Sequence, residues 1–159
     1  MKKVIALILV LSMLFAMAAC GIRSDMPFNG DIEFHDLTLT IPESFIRDST
    51  QSNDDLWVFE KGRYEQLIIL SRQDLVGKEA DTLDDYADYL SEQGIEVSRT
   101  VFAQCEAVYS AYTREEQFCQ EVCFVCCGSV YALALRGGTT VEFEEFLKSV
   151  QLKQAENVK

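Results

Sequence analysis

Leu37-Thr38-Leu39-Thr40-Ile41 alternates apolar with β-branched polar residues and stops at Pro42, the pattern of a half-buried strand running into a turn. Asp48 to Asp55 has no apolar periodicity and reads as a loop. Trp57-Val58-Phe59-Glu60 and Gln66 to Ser71, separated at Lys61-Gly62-Arg63, predict a hairpin whose Gly accepts the turn geometry. The run Leu67-Ile68-Ile69-Leu70 is apolar at every position, which predicts a central strand covered on both faces. The spacing then changes to that of a helix: Leu83, Tyr86, Ala87 and Leu90 share one face behind a Thr82-Leu83-Asp84-Asp85 start, and Gly94 ends the element. Thr139-Thr140-Val141-Glu142 repeats the start signature before a second stripe of Phe143, Phe146, Leu147 and Val150. Between the helices, Thr100 to Tyr112, Gln117 to Cys126 and Ser129 to Arg136 read as three strands, with turns at Thr113-Arg114-Glu115-Glu116 and Cys127-Gly128. A two-residue turn at Cys127-Gly128 sets Phe124 opposite Tyr131 and Val122 opposite Leu133. The expected class is α+β, one domain, an antiparallel meander with helices packed on it.

Composition agrees with one core: 159 residues, 48% hydrophobic and 25% charged, is ordinary globular usage. Charge narrows the partners. A net charge of −12 without a basic run argues against nucleic acid, because affinity for phosphates rests on Lys and Arg displacing counterions.

The first residues read as an address. Lys2 and Lys3 precede an uncharged stretch from Val4 to Ala19, which closes with Met17-Ala18-Ala19 before Cys20. This segment resembles the lipobox of bacterial lipoprotein precursors, with Met17 where Leu is usual. The resemblance implies a signal peptide over residues 1–19, and acylation of Cys20 as the new N-terminus. The protein is then expected on the outer face of a cell membrane, its partner the bilayer itself; an uncleaved anchor and ordinary secretion are the alternatives. Loss of Lys2 and Lys3 takes the charge from −12 to −14, so the domain stands off anionic lipid. Residues 20–31 have a tether's composition, 32–152 are expected to form the domain, and 153–159 a tail.

The order of elements around Ile41-Pro42-Glu43-Ser44-Phe45, Thr82-Leu83-Asp84-Asp85-Tyr86-Ala87 and Leu147-Lys148-Ser149-Val150 resembles the PsbP/DcrB-like α/β sandwich over about Phe34 to Leu152. The resemblance implies an exported or membrane-associated binding or assembly factor without a shared catalytic set. It transfers no site residue.

Chemistry is confined to the cysteines. Cys105, Cys119, Cys123, Cys126 and Cys127 remain beside the tethering Cys20. Cys119, Cys123 and Cys126 match the Cys-x-x-x-Cys-x-x-Cys spacing of iron–sulfur loops, but the intervening residues read as strand, which turns Cys119 and Cys123 to one face and Cys126 to the other. A zinc site from Cys126-Cys127 and Cys105 lacks a matched second pair. Disulfides suit export, and a bridge from Cys105 to Cys123 or Cys126 is the preferred pairing; reduced, buried thiols are the plain alternative. His35, the sole imidazole, suits a surface or capping role. Asp81, Asp84, Asp85 and Asp88 lack the loop and Gly of a calcium hand and suit a solvated helix start, as do Glu142, Glu144 and Glu145. Tyr86, Tyr89, Tyr109, Tyr112 and Tyr131 are either packing or the makings of an aromatic groove. No nucleophile elbow, P-loop or dinucleotide fingerprint occurs, and no cofactor or metal is expected. The favoured expectation is a lipid-anchored, non-catalytic module that binds a small ligand or a protein partner, a basic one given the charge. The alternative is a thiol-redox or metal protein working through the cluster from Cys119 to Cys127.

Overall fold

A computed structural model describes residues 30–75 and 82–153. The chain runs β1 (Gly30–Phe34), β2 (Leu37–Ile41), β3 (Ile46–Arg47), β4 (Leu56–Lys61), β5 (Gln66–Asp74), α1 (Thr82–Glu92), β6 (Val97–Phe102), β7 (Cys105–Arg114), β8 (Gln117–Cys126), β9 (Ser129–Arg136), α2 (Thr140–Lys148) and β10 (Gln151–Leu152). The class is α+β as expected. The antiparallel strands form two sheets, one in the order β3-β4-β5-β9-β8-β7-β6 and a small one in the order β1-β2-β10.

Strand β5 lies between β4 and β9, and Leu67 to Leu70 are all buried, the signature of a strand with both faces covered. Even-numbered residues Val122, Phe124 and Cys126 of β8 face the larger core, where Tyr131, Leu133, Phe143 and Phe146 meet the small sheet's Phe34, Leu37 and Leu39. On the opposite face, Val108, Cys123 and Val130 pack under Leu83, Tyr86, Ala87 and Leu90 of α1. The small sheet and α2 thus cover one side of the large sheet, and α1 covers part of the other. Phe124 pairs with Tyr131 and Val122 with Leu133, as the Cys127-Gly128 turn requires. Stacking of the Phe124 and Tyr131 rings, with centroids 5.4 Å apart, fills the centre. Tyr131 then donates its hydroxyl to Asp36 Oδ2 at 2.6 Å, tying the sheets together.

Three sequence readings need correction. The run Thr100 to Tyr112 is two strands, β6 and β7, because the chain reverses at Ala103-Gln104 with φ of +48° and +66°. That two-residue turn uses the left-handed conformation without Gly, Asn or Asp, so it carries no compositional signal. The meander from β6 to β9 therefore has four strands. Gly30 and Asp31, read as tether, belong to β1 and pair with Ile41 and Thr40. The domain also extends one residue past Leu152: Lys153 donates its N–H to the Asp36 carbonyl at 2.8 Å. The signal segment, Cys20, most of the tether, Asp81 and residues 154–159 lie outside the described residues.

Helix α2 is placed by local chemistry at its start. The Thr139 side chain accepts from the Glu142 N–H at 3.2 Å, while Glu142 Oε2 accepts from the Thr139 N–H at 2.8 Å, a reciprocal capping box. These bonds hold the Glu142 carboxyl below its ordinary range. Just before the cap, Gly137 at φ +75° donates its N–H to the Phe118 carbonyl at 2.8 Å and runs against the backbone of Glu65. Among the described residues no helix is long and apolar enough to cross a membrane.

Candidate functional site

Two clefts flank α2, each lined by one of its helical faces. The larger, about 400 Å³, is floored by Phe45, Ile68, Leu135 and Phe146 and rimmed by Lys61, Gln66, Glu142, Glu145 and Ser149. Its floor is apolar because side chains of three elements meet there: the Pro42–Phe45 loop, the β4–β5 hairpin and the 142/145/146/149 face of the helix. Lys61 Nζ lies 5.6 Å from the Phe45 ring centroid, and Gln66 Nε2 donates to Glu142 Oε1 at 3.4 Å. Ser149 Oγ accepts from the Thr40 N–H at 3.1 Å and fastens the helix end to the small sheet.

The smaller cleft, about 290 Å³, opens between α2 and strands β6 to β8. Phe102, Val122, Phe143 and Leu147 form its walls; Tyr109 and Gln120 bring polar groups to its base, and Ser98, Thr100, Thr140 and Glu144 stand at its edge. Tyr109 donates its hydroxyl to Gln120 Oε1 at 3.1 Å. Burial and then the Glu144 carboxylate raise the Tyr109 hydroxyl above its ordinary range, so the phenol keeps its proton. Of the five tyrosines considered for an aromatic groove, Tyr109 alone lines either cleft. Tyr86 and Tyr131 are buried, the former donating to Glu121 Oε1 at 2.9 Å.

The cysteines divide as strand alternation dictates. Cys119 and Cys123 lie on the α1 side of β8 and Cys126 on the other. Three convergent ligands from this run are therefore absent, and no cluster of three or more metal-ligating side chains occurs among the described residues. Cys105 packs against the core that contains Cys126, with Cys123 through the sheet on the far face, so the pairing of Cys105 with Cys123 is not possible here. Carrying the β7–β8 register two residues past Ala107↔Phe124 brings Cys105 opposite Cys126, and their thiols are hydrogen-bonded. The Cys126 and Cys127 sulfurs are 3.4 Å apart. The five cysteines among the described residues are free thiols. Burial pushes Cys119 up despite Arg136 and Arg114, and pushes Cys123 well up with help from Glu121; the hydrogen bond to Cys126, then burial, raises Cys127 to about 11. Protonated thiols are poor nucleophiles and poor ligands at neutral pH.

His35 sits in the β1–β2 turn at φ +54°, donating from Nε2 to the Asp54 carbonyl at 2.9 Å, with Asp55 Oδ1 at 3.2 Å. Its role is to pin the loop from Asp48 to Asp55. Asp84 of the acidic helix start is paired with Arg99. Neither cleft is visible in the sequence, where Gln120, at the base of the smaller one, is only a strand residue.

Comparison with protein-family models and with curated protein sequences returns no match. Solved structures do match. The structure of cyanobacterial PsbP (CyanoP) from Synechocystis superposes with a TM-score of 0.57 at 10% identity, covering 88% of this chain and 99% of that one. A protein from Bacteroides thetaiotaomicron superposes with a TM-score of 0.52 at 12% identity, over 80% of this chain and 50% of that longer one. At these identities the likeness is one of fold: the chain has a PsbP-like fold.

Proposed function

We propose that this chain is an exported bacterial lipoprotein, tethered through an acylated Cys20, whose PsbP-like domain is a non-catalytic binding or assembly module. The observation that carries the reading is the larger cleft, an apolar floor open to solvent beside a capped, rigidly placed helix. Concave sites with apolar floors and few polar groups are the usual form of binding sites. Its occupant is an apolar side chain of a basic protein partner: Glu142 and Glu145 outnumber Lys61 at the rim, and the −14 charge left after loss of Lys2 and Lys3 repels acidic partners while drawing basic ones. Support for the anchor comes from the Met17-Ala18-Ala19-Cys20 sequence behind an apolar stretch.

Each half has its test. Cys20→Ser moves the protein from the membrane fraction to the soluble one; retention in the membrane refutes the lipid tether. A photocrosslinker at Thr40, on the cleft rim, captures in cells a partner whose contact segment is rich in Lys and Arg. Capture falls with salt and with Glu145→Lys; capture indifferent to both refutes the assignment. A second reading places the work in the Cys105–Cys126–Cys127 chain of thiols, as a redox or metal site. There, Cys→Ser changes would remove an activity or bound metal without unfolding the domain.

A further inference from the structure

From the binding-module reading, and without the larger cleft, we infer that the outer edge of β6 is a docking strand, to which an extended basic segment of a protein partner adds as a further strand of the large sheet. Strand β6 ends that sheet, with β7 on one side and no strand on the other among the described residues. The two-residue turn at Ala103-Gln104 makes Phe102 and Cys105 a hydrogen-bonded pair, so the bonds to β7 fall at Phe102, Thr100 and Ser98. Val97, Arg99 and Val101 therefore turn their N–H and C=O groups outward, where no backbone group of a described residue takes them. Sheet edges are ordinarily blunted by shortness, Pro, bulges or charge. The opposite edge follows that rule, since β3 is only Ile46–Arg47. Strand β6 does not: its six residues keep an unbroken register without Pro or Gly, and its one charge, Arg99, is drawn to Asp84 of α1. Val101 is 72% exposed, the most exposed large apolar side chain among the described residues.

The two faces of this edge define the segment. Side chains of a strand added beside β6 alternate between the face of Ser98, Thr100 and Phe102 and the face of Arg99 and Val101. On the first face lies the smaller cleft, which Ser98, Thr100 and Phe102 line together with Phe143 and Leu147 of α2. An apolar side chain of the added strand, standing beside Thr100, has these walls to pack on. On the second face stands α1, whose Asp84 reaches Arg99 and whose exposed Asp88, one turn on, shares that side of the helix. Glu106 is exposed on this face too, paired directly with Val101. Lys or Arg at the alternate positions meets these carboxylates with its charge and covers Val101 with its methylene stem. The complementary segment thus alternates apolar residues with Lys or Arg, held by the backbone bonds of strand addition. Charge decides against a second copy of this chain. Antiparallel pairing of two β6 edges about a two-fold axis sets both α1 helices on the same face, acid beside acid, in chains of net charge −12.

The test uses the full chain, isotope-labelled in a zwitterionic detergent, with backbone amide exchange read residue by residue by NMR. The probe is an acetylated, amidated hexapeptide that alternates Val and Lys. One control places the three Val before the three Lys, keeping composition and charge without the alternation; another alternates Val and Glu. In the free chain the Arg99 and Val101 N–H groups exchange as unprotected amides, while those of Ser98, Thr100 and Phe102 are protected by β7. With the probe at ten times its Kd, exchange at Arg99 and Val101 slows about tenfold, because only the unbound fraction exchanges, and neither control does this. Val101→Pro removes one outward donor and sets its ring on the edge while leaving the bonds to β7 intact, so it abolishes the slowing at Arg99. Glu145→Lys, in the larger cleft, leaves it unchanged. If Val101→Pro folds poorly, exchange in the unaltered chain with the three peptides decides by itself. No slowing, or equal slowing by the peptide without alternation, overturns the proposal. So does protection of Arg99 and Val101 before peptide is added: if it is independent of protein concentration, a segment of this chain holds the edge, and if it grows with concentration, a second copy does. Failure of crosslinking at Thr40 with persistent slowing would refute the partner of the larger cleft and spare this edge; capture at Thr40 without slowing would do the reverse.

Discussion

Gly137 and Gly94 form a matched pair that isolates one physical term. Both sit in the left-handed region, at φ +75° and +73°, so a Cβ brings each the same backbone strain. For an L-residue this costs about 1–2 kcal/mol, offset by about 0.4–1 kcal/mol from the stiffer unfolded chain. They differ in what the Cβ meets. At Gly94, which ends α1, nothing lies within 4 Å. At Gly137 the added carbon would fall 1.9 Å from the Glu65 carbonyl oxygen, a backbone atom at the β4–β5 turn that cannot swing aside as a side chain can. Relieving this clash means displacing either that turn or the β9–α2 junction, an overpacking penalty of about 1–3 kcal/mol beyond the strain. Gly94→Ala should therefore cost about 0–1.6 kcal/mol, and Gly137→Ala about 1–3 kcal/mol more than that. Urea unfolding followed by Trp57 reports both. This indole packs 5.2 Å from the Phe34 ring, beneath the Arg47 guanidinium at 4.0 Å, and so senses the contact between the sheets. If the two variants unfold within about 0.5 kcal/mol of each other, the close approach is not what makes Gly137 necessary. The same substitution should loosen the larger cleft, whose rim includes Gln66 from that hairpin and Glu142 from the helix.

Burial holds the Glu121 carboxyl above its ordinary range, opposed by the hydrogen bond from Tyr86. With a raised folded value, its contribution to stability is complete below the unfolded pKa and is lost as pH rises through the folded one. Glu121→Gln keeps an acceptor for Tyr86, so it should be more stable than the unaltered chain at pH 7 in urea titrations, the gap closing below about pH 4.3; a less stable variant at pH 7 refutes this. Asp48 and Glu142 run the other way. Burial alone would raise Asp48, but hydrogen bonds from Thr50, Gln51 and Tyr64 outweigh it, and Thr139 lowers Glu142. Their stabilisation is present above the unfolded carboxyl values and is lost as pH falls through the folded ones, so Asp48→Asn and Glu142→Gln should each flatten the acid unfolding curve below about pH 4. Cys127 is exposed, yet with its thiol raised to about 11 it should alkylate roughly a hundredfold more slowly at neutral pH than an ordinary cysteine. Cys126→Ala should speed that reaction by removing the hydrogen bond; an unchanged iodoacetamide rate would show that the neighbouring sulfur is not the cause.

Legibility followed the range of the interaction. The Thr139 cap, the buried stripe of α1, the Cys127-Gly128 turn and the opposed faces of Cys119 and Cys126 are written in residues a few positions apart, and all appear in the structure. The Ala103-Gln104 turn was hidden because neither residue favours φ > 0; the pairing of β6 with β7 and their packing outweigh that cost. Of the sites, Tyr109 stands out in the sequence as a candidate aromatic, whereas nothing about Gln120 in a strand reveals that its amide is buried without a second partner.

The amino-acid sequence by itself determined the class, the order of most elements, the register of the central pair and the acidity of the surface, since each depends on composition or near-neighbour stereochemistry. The tertiary structure alone decided that β1, β2 and β10 form a second sheet, that Thr40 and Ser149 join 109 residues apart, and that α2 leaves a cleft on either side. It also chose Cys126 over Cys123 as the neighbour of Cys105. Those outcomes come from how whole faces pack once the chain has closed, and packing between distant segments leaves no periodicity along the sequence to read.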